Sequence, residues 1–306
     1  MAGRVLVQWE ENRRNAPETL TVDIYTGGRA PDGLDRVAFY QVPYAPSTQG
    51  VDERYDAIGR MPNLEVLQVT SAGYEHVLHL IPDSVTLCNG RGLHDASTAE
   101  HALALILAAQ RDLPRWTLGQ HDHRWGAAPL RSLADQRVLI IGYGSIGKAV
   151  ERRLLPFETE VVRVASRARP DEEVHGADEL PDLLPHADIV VLVTPLTERT
   201  RGLFGAAEFA LLRDDALVVN VGRGPVLDTG ALLAQNGRVR AALDVTDPEP
   251  LPADHPLWDA PGVFITPHVA GGSTAFYPRA RAFMDAQLAR WASGEPLQNV
   301  VRPGRR

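Results

Sequence analysis

The stretch VLIIGYGSIG, residues 138–147, decides the fold of this chain. Its first four residues are apolar and predict a buried β-strand. Gly142, Gly144 and Gly147 then stand at G-x-G-x-x-G spacing, and the helical sequence Lys148–Leu155 follows. In such a turn the first glycine allows a tight bend, the second leaves room for a pyrophosphate, and the third lets helix and strand pack closely. The spacing therefore predicts a dinucleotide site at the N-terminus of a helix.

Short apolar runs alternate with helical pieces on both sides of this stretch, which is typical of an open parallel sheet. From the glycine turn onward, six strands are predicted at 138–141, 161–165, 189–193, 217–220, 241–245 and 263–266. Ahead of it, strands are predicted at 5–8, 21–25, 37–41, 66–69 and 85–88. Long helices are expected at 95–113 and 275–293, with a shorter one at 177–184. We expect residues 114–133 to be irregular and the tail 302–306 to fray.

The pattern predicts an α/β protein with two doubly wound parallel sheets. A Rossmann dinucleotide-binding domain is expected over residues 98–275. It would be inserted between two pieces, 1–97 and 276–306, of a flavodoxin-like substrate domain.

Composition narrows the classes of function. Apolar residues make up 44% and charged residues 23% of 306 residues, as in ordinary globular proteins. A net charge of −8 argues against nucleic-acid binding, and the longest apolar run, 102–109, is too short to span a membrane. Cys88 is the only cysteine, and the N-terminus lacks the pattern of a secretory signal. We therefore expect a cytoplasmic protein without disulfides that binds a small molecule.

Polar residues suited to hydride transfer follow the last three predicted strands. Arg223 stands in NVGRG, Glu249 in DVTDPEP and His268 in TPHVAGGS. The carboxyl ends of parallel strands meet at one edge of a sheet, where ligands bind. Arginine can hold a carboxylate, and histidine can exchange the proton of a C2 oxygen while a neighbouring carboxylate orients it. Each residue alone also suits a structural role, but together they indicate an oxidoreductase acting on a keto acid.

The order of the motifs resembles that of the D-isomer-specific 2-hydroxyacid dehydrogenase family, and in particular its glyoxylate/hydroxypyruvate reductase-like members. The resemblance covers nearly the whole chain, although the first ninety residues match only loosely. The motifs that carry it are SAGYEHV (71–77), STAEHALALIL (97–107), GYGSIG (142–147), TPLTERTRGLF (194–204), NVGRGPVLD (220–228), ALDVTDPEPLP (242–252) and TPHVAGGS (266–273).

The resemblance implies a role for each of these residues. Arg223 anchors the substrate carboxylate, His268 is the acid/base and Glu249 is its partner, while N–H groups at Ser71, Ala72 and Gly73 grip the carboxylate. Formate-oxidising relatives carry Gln at the position of Glu249, so the glutamate favours hydroxy acids. No metal is implied.

The resemblance also implies the residues that contact the cofactor. Asp244 would contact the nicotinamide amide. The remaining cofactor-binding positions are Gly142, Gly144, Ser145, Ile146, Gly147, Thr194, Pro195, Thr200, Val221, Gly222, His268 and Gly271.

The end of the second strand after the glycine turn predicts the choice of cofactor. Members that prefer NAD place an acidic residue there, whereas this chain reads VVRVASRARP over residues 161–170. Ser166 and Arg167 can hydrogen-bond to a 2′-phosphate and neutralise it, and a carboxylate would repel it. We therefore favour NADP(H), with NAD(H) as the alternative.

Two other functions stay open at this point. The same fold serves in nucleotide-regulated corepressors, which bind proteins, and in dehydrogenases of other small anions such as phosphoglycerate or phosphite. We also expect a two-fold homodimer built through residues 99–133. We refer to residues 114–133 as the arm. In glyoxylate/hydroxypyruvate reductase-like members a tryptophan on the arm reaches the partner's site, and Trp125 stands at that place, although packing at the interface would explain it equally.

Overall fold

The computed structural model describes residues 3–44 and 51–305, with side chains from residue 54 onward in the second range. The chain divides into two compact units. The outer unit comprises Met1–His94 and Gly272–Arg306, and the inserted unit comprises Asp95–Gly271. The predicted domain limits, 97/98 and 275/276, lie within four residues of these divisions.

The outer unit is built on a sheet with the strand order β13-β5-β4-β3-β1-β2. Its first five strands are parallel to their neighbours in the order 2-1-3-4-5 of flavodoxin-like folds, and β13 joins the edge antiparallel to β5. Helix α9 (Phe276–Ser293) packs on this sheet through Met284 and Leu288. The other elements are β1 (Arg4–Val7), α1 (Glu10–Asn15), β2 (Thr21–Ile24), β3 (Val37–Gln41), α2 (Val51–Asp56), β4 (Val66–Gln68), β5 (Thr86–Cys88) and β13 (Val300–Arg302).

The inserted unit is built on a parallel sheet with the strand order β12-β11-β10-β9-β6-β7-β8. Read from β8, this is the 3-2-1-4-5-6 order of dinucleotide-binding domains, extended by β12. The strands are β6 (Arg137–Ile141), β7 (Glu160–Ala165), β8 (Val174–Gly176), β9 (Ile189–Leu192), β10 (Leu217–Asn220), β11 (Arg240–Leu243) and β12 (Val263–Ile265). The helices are α3 (Asp95–Gln110), α4 (Leu113–His121), α5 (Ser145–Leu154), α6 (Leu180–Leu183), α7 (Ala206–Leu211) and α8 (Thr229–Leu233).

Both faces of the inserted sheet are buried, as expected for strands that are apolar throughout. On one face Val138 and Ile140 of β6 pack in a cluster with Leu105 and Ile106 of α3. On the other face Leu139 and Ile141 pack in a second cluster that contains Phe204. Strand order reverses between β6 and β9, so the crevice in which such folds bind ligands lies at the carboxyl ends of these two strands.

Three expectations drawn from the sequence were wrong. Residues 113–121 form helix α4, because Pro114 lies in its first turn, where a missing N–H costs nothing. A further strand, β8, is only three residues long and carries no strand-like alternation. The tail does not fray: Val300–Arg302 pairs with β5, and the guanidinium of Arg302 donates to the carbonyl of Pro82 at 2.8 Å.

Three helical boundaries also differ from the expectation. Helix α3 ends at Gln110 rather than at residue 113, because Asp112 adopts a left-handed φ of +52°. Helix α5 begins at Ser145, inside the glycine turn, rather than at Lys148. The segment 177–184 contains only the short helix α6 between 3-10 turns, because Pro181 and Pro185 interrupt its hydrogen bonding. Across the described part of the chain, no helix combines the length and apolarity that a membrane span requires.

Candidate active site

The glycine turn between β6 and α5 has the geometry that its sequence predicts. Gly142 has a φ of +109°, and a Cβ there would lie 2.7 Å from the carbonyl carbon of Val193. A Cβ at Gly147 would lie 2.7 Å from the carbonyl oxygen of Gly142, so helix and strand approach closely. Nothing lies within 4 Å of a Cβ built at Gly144. The turn is therefore closed at its first and third glycines and open at its second, as a pyrophosphate site requires.

An open cleft of about 810 Å³ lies against this turn. Its size suits a cofactor or a drug-sized ligand. The predicted cofactor-binding residues that line it are Gly142, Gly144, Ser166, Thr194, Pro195 and Thr200. Arg167 is exposed and does not line the cleft, whereas Arg169, two residues further on, does.

The polar residues predicted to carry the chemistry follow three neighbouring strands. Arg223 follows β10, Glu249 follows β11 and His268 follows β12, all at the carboxyl edge of the inserted sheet. His268, the predicted acid/base, therefore lies at the β12 end of this edge. Ser166, which follows β7, lies near the opposite end.

His268 and Glu249 are in contact. The imidazole Nδ1 of His268 and the carboxylate Oε1 of Glu249 form a hydrogen bond, and both side chains remain partly exposed. The carboxylate fixes the tautomer of the ring, because Nδ1 carries the proton that it accepts. The Nε2 atom of His268 is then the position from which a proton can be exchanged with a ligand.

The backbone at His268 is held in an unusual conformation. Its φ is +52°, in the left-handed region that residues other than glycine rarely adopt. The N–H of His268 donates to the carbonyl oxygens of Asp244 at 2.8 Å and Thr266 at 3.0 Å. Such strain persists only where the surroundings enforce it, and it concentrates at functional sites.

Asp244 is the residue that holds this loop in place. Its side chain is only 1% exposed, and its carboxylate accepts hydrogen bonds from the N–H groups of Val269 and Ala270, each at 2.9 Å. It also accepts from the hydroxyl of Thr266 at 2.7 Å and lies 3.2 Å from Nε2 of His101. Burial alone would raise the pKa of Asp244, but these hydrogen-bond donors outweigh it and hold the pKa below its usual value.

The turn that carries Arg223 is closely packed. Asn220 is 1% exposed; its amide donates to the carbonyl of Arg223 at 3.1 Å, and its side-chain oxygen accepts from the N–H of Gly222 at 3.0 Å. A Cβ at Gly224 would lie 1.7 Å from the carbonyl oxygen of Thr246. Glycine is therefore required on this turn, which keeps Arg223 half-buried at the end of β10. The adjacent Val221 is itself buried.

The remaining predicted cofactor positions lie in turns at the same carboxyl edge of the inserted sheet. Ser145 and Ile146 lie in the first turn of α5, and Gly271 ends the inserted unit after the His268 loop. A Cβ at Gly222 would lie 2.8 Å from the carbonyl oxygen of Thr194, so the turns after β9 and β10 touch.

In the outer unit the predicted substrate loop follows β4. The hydroxyl of Ser71 donates to the carbonyl of Gly73, and the amide of Asn89 donates to the carbonyl of Ala72, each at 2.7 Å. Within residues 3–44 and 51–305, the backbone N–H groups of residues 71–73 donate no hydrogen bond to the protein. The loop is fixed through its carbonyls, and its N–H groups are available to a ligand.

Comparison with known proteins identifies the family. The model for the NAD binding domain of D-isomer specific 2-hydroxyacid dehydrogenases matches residues 103–270, more than half of the chain. The chain belongs to this family. It is thus a D-2-hydroxyacid dehydrogenase, an NAD(P)-dependent oxidoreductase.

Similar proteins include well-described members of the family. Glyoxylate/hydroxypyruvate reductase B of Citrobacter koseri is 36% identical over 259 residues, which cover 80% of each chain. The NADPH-dependent glyoxylate/hydroxypyruvate reductase of Sinorhizobium meliloti, solved with NADP and sulfate, aligns with a TM-score of 0.80 at 29% identity over 99% of this chain and 100% of that one. A 2-hydroxyacid dehydrogenase of Xanthobacter autotrophicus, solved with NADPH and MES, aligns with a TM-score of 0.81 at 28% identity over 99% of both chains.

Sequence reasoning missed two residues at the site of this dehydrogenase. His101 lies on α3, where its Nε2 is 2.9 Å from the hydroxyl of Thr266, and nothing in the sequence distinguishes it from the other polar residues in the first half of that helix. Arg169 was not among the predicted cofactor-binding residues, and its place in the cleft depends on the backbone bridge to Val174, which the sequence does not reveal. No group of three or more His, Cys, Asp or Glu side chains suited to a metal ion occurs among the described residues.

Proposed function

We propose that this dehydrogenase is an NADPH-dependent reductase of a small 2-keto acid, such as glyoxylate or hydroxypyruvate. The observation that carries the proposal is the contact between His268 and Glu249 beside the arginine turn after β10. A histidine whose Nδ1 is held by a carboxylate exposes Nε2 for proton exchange with a carbonyl oxygen. The similarity to reductases named for glyoxylate and hydroxypyruvate supports the choice of substrate.

Each residue has a defined part in this reaction. When bound, the nicotinamide would supply the hydride to C2 of the keto acid. His268 gives the proton from Nε2 to the carbonyl oxygen, and Glu249, which accepts from Nδ1, orients the ring for this transfer. Arg223 holds the substrate carboxylate through two hydrogen bonds.

NADP(H) is the proposed cofactor. Strand β7 ends in Ala165 and is followed by Ser166, Arg167 and Arg169, so the end of this strand lacks the acidic residue with which NAD-preferring members repel a 2′-phosphate. The solved relatives that contain NADP or NADPH support this choice. We expect kcat/KM to favour NADPH over NADH by at least about tenfold, which corresponds to about 1.4 kcal/mol.

A homodimer is the proposed assembly. Leu113 and Leu118 of α4 are 50% and 64% exposed, and Trp125, in the segment that follows α4, is 101% exposed. A row of exposed large apolar side chains favours a protein interface. The inner half of the predicted interface, around Ala102 and Leu105, is instead buried within the inserted unit.

The proposed activity is tested by mixing the protein with NADPH and a panel of 2-keto acids and following absorbance at 340 nm. Oxidation of NADPH by glyoxylate or hydroxypyruvate is the expected result. Tight nucleotide binding without turnover of any substrate would contradict the proposal and favour a binding module. Turnover confined to phosphoglycerate or phosphite with NAD would favour the other dehydrogenases.

A further inference from the structure

Three charged residues form a connected group that reaches the cleft through Arg169. Arg169 lines the cleft together with Ser166, and its Nη2 donates to the carbonyl of Tyr143 in the glycine turn at 2.9 Å. Its backbone N–H donates to the carbonyl of Val174 at 2.7 Å. The guanidinium is therefore anchored to the glycine turn, and the backbone of Arg169 is anchored to β8.

Glu172 connects this arginine to a second cation. Its Oε1 lies 3.1 Å from Nε of Arg169, and its Oε2 accepts a hydrogen bond from Nζ of Lys148 at 2.9 Å. The hydrogen bond from Lys148, and then the charge of Arg169, lower the pKa of the Glu172 carboxyl. One ionised carboxylate is thus shared between Arg169 and Lys148.

We propose that Arg169 receives the 2′-phosphate of NADP(H) in exchange for Glu172. The inference rests on the proposed NADP(H) function and adds the residue that sets the preference. Nη1 of Arg169 has no hydrogen-bond partner within the described ranges, so the guanidinium has donors to spare. A phosphate carries more charge than a carboxylate and accepts through three oxygens, so it displaces Glu172, which stays bound to Lys148. A nucleotide without the 2′-phosphate leaves the ion pair with Arg169 intact.

In this exchange Glu172 competes with the 2′-phosphate for the guanidinium of Arg169. Arg169→Ala should weaken binding of 2′-phosphorylated nucleotides only. Glu172→Gln removes the competing charge and should strengthen the same binding. The control is Glu173→Gln, which changes the same charge one residue further on, where the side chain is 87% exposed and pairs with Arg163 instead.

The test is calorimetric titration of the full chain with 2′,5′-ADP and with 5′-AMP. For the native protein we expect 2′,5′-ADP to bind at least about tenfold more tightly. Arg169→Ala should lower this preference at least about fivefold, and Glu172→Gln should raise it about threefold. Affinity for 5′-AMP should stay the same in every variant, and Glu173→Gln should match the native protein with both ligands.

A second readout uses the single lysine of the chain. Lys148 is the only lysine, so reductive methylation with ¹³C-labelled formaldehyde adds one side-chain signal besides that of the N-terminal amine. In the exchange Glu172 loses its contact with Arg169 and keeps only the one with Lys148. 2′,5′-ADP should therefore shift the Lys148 signal, and 5′-AMP should not. In Glu172→Gln neither ligand should shift it.

Two results would overturn the inference, and they differ. A native protein that binds both nucleotides equally would overturn the choice of NADP(H) together with the exchange. A preference that survives Arg169→Ala and disappears in Arg167→Ala would keep NADP(H) and overturn the exchange alone.

Discussion

At the residue scale, His268 is held by the main chain in the position that the proposed chemistry requires. Its left-handed φ of +52° is stabilised by N–H donation to Asp244 and Thr266, and its ring is oriented by Glu249. Both the position and the tautomer of the imidazole are thus fixed before a ligand arrives. Preorganisation of this kind reduces the reorganisation that the reaction itself requires.

The first prediction concerns the proton that His268 transfers in the proposed reaction. Glu249→Gln keeps the shape of the side chain but removes the carboxylate that holds Nδ1 of His268, so the ring is no longer fixed with Nε2 presented to a ligand. We expect kcat of reduction to fall by at least about tenfold. The measurement is kcat for the reduction of a 2-keto acid by NADPH.

His268→Ala provides the complementary variant. It should lower kcat by about 10²–10⁴ while leaving NADPH binding almost unchanged, because the ring transfers a proton and does not hold the nucleotide phosphates. If Glu249→Gln leaves kcat of reduction unchanged, the two residues do not act as a pair.

The second prediction concerns Asp244 and stability. Because its pKa is lowered in the folded protein, its contribution is present above the ordinary pKa of aspartate, about 3.9, and is lost as pH falls through the lower folded-state value. Asp244→Asn should cost about 3 kcal/mol of unfolding free energy at neutral pH and weaken its decline in acid. Urea unfolding between about pH 7 and pH 3 measures both, with the exposed Asp254→Asn as the control. An unchanged acid dependence in Asp244→Asn would contradict this account.

At the element scale, the glycine turn separates packing from ligand binding. Gly142 and Gly147 touch backbone or neighbouring side chains, while Gly144 faces open space. The three positions look alike in the sequence, and only their spacing predicted which of them would be closely packed and which would be open.

The third prediction compares two substitutions in this turn. Gly142→Ala combines a positive φ with a 2.7 Å contact, so it should cost roughly 1–3 kcal/mol and lower the melting temperature. Gly144→Ala has space for its methyl group and should melt like the native protein. It should nevertheless bind NADPH more weakly, because the methyl group occupies the approach of the pyrophosphate. Circular dichroism and NADPH fluorescence distinguish the two; equal melting losses would contradict the assignment.

Most strands could be predicted because they are apolar runs between turn residues, and β3 and β10 were found to the residue. The strands that were missed lack that signal. β8 is three residues with a histidine in the middle, and β13 depends on pairing with β5, more than two hundred residues away. Long-range pairing leaves no trace in a local window, so the predicted fraying of the tail was wrong.

The candidate site was predictable to a similar depth. Arg223, Glu249 and His268 stand in motifs at the ends of strands, and the topology brings those ends to one edge. The contacts that hold these residues in place could not be predicted. The contacts of Asp244 with Val269, and of Arg169 with Tyr143, depend on how loops fold back on the sheet.

At the scale of the whole molecule, the exposed apolar arm carries the fourth prediction. If the arm forms the proposed dimer interface, Leu118→Glu should place a charge within it and give the mass of one chain by light scattering at micromolar concentration. Leu155→Glu is the matched control, because Leu155 is 53% exposed outside the arm. The native protein and the control should show twice that mass. A native protein with the mass of one chain would contradict the proposed assembly.

The pairing of β13 with β5 also orders the events of synthesis. Every residue of the inserted unit leaves the ribosome before residues 300–302 do, so its sheet can be completed on the nascent chain. The outer sheet lacks this edge strand until residues 300–302 have been made, after the whole of the inserted unit. Until then the edge of β5 is open and can pair with another chain. The outer unit therefore needs protection from association for longer than the inserted unit does.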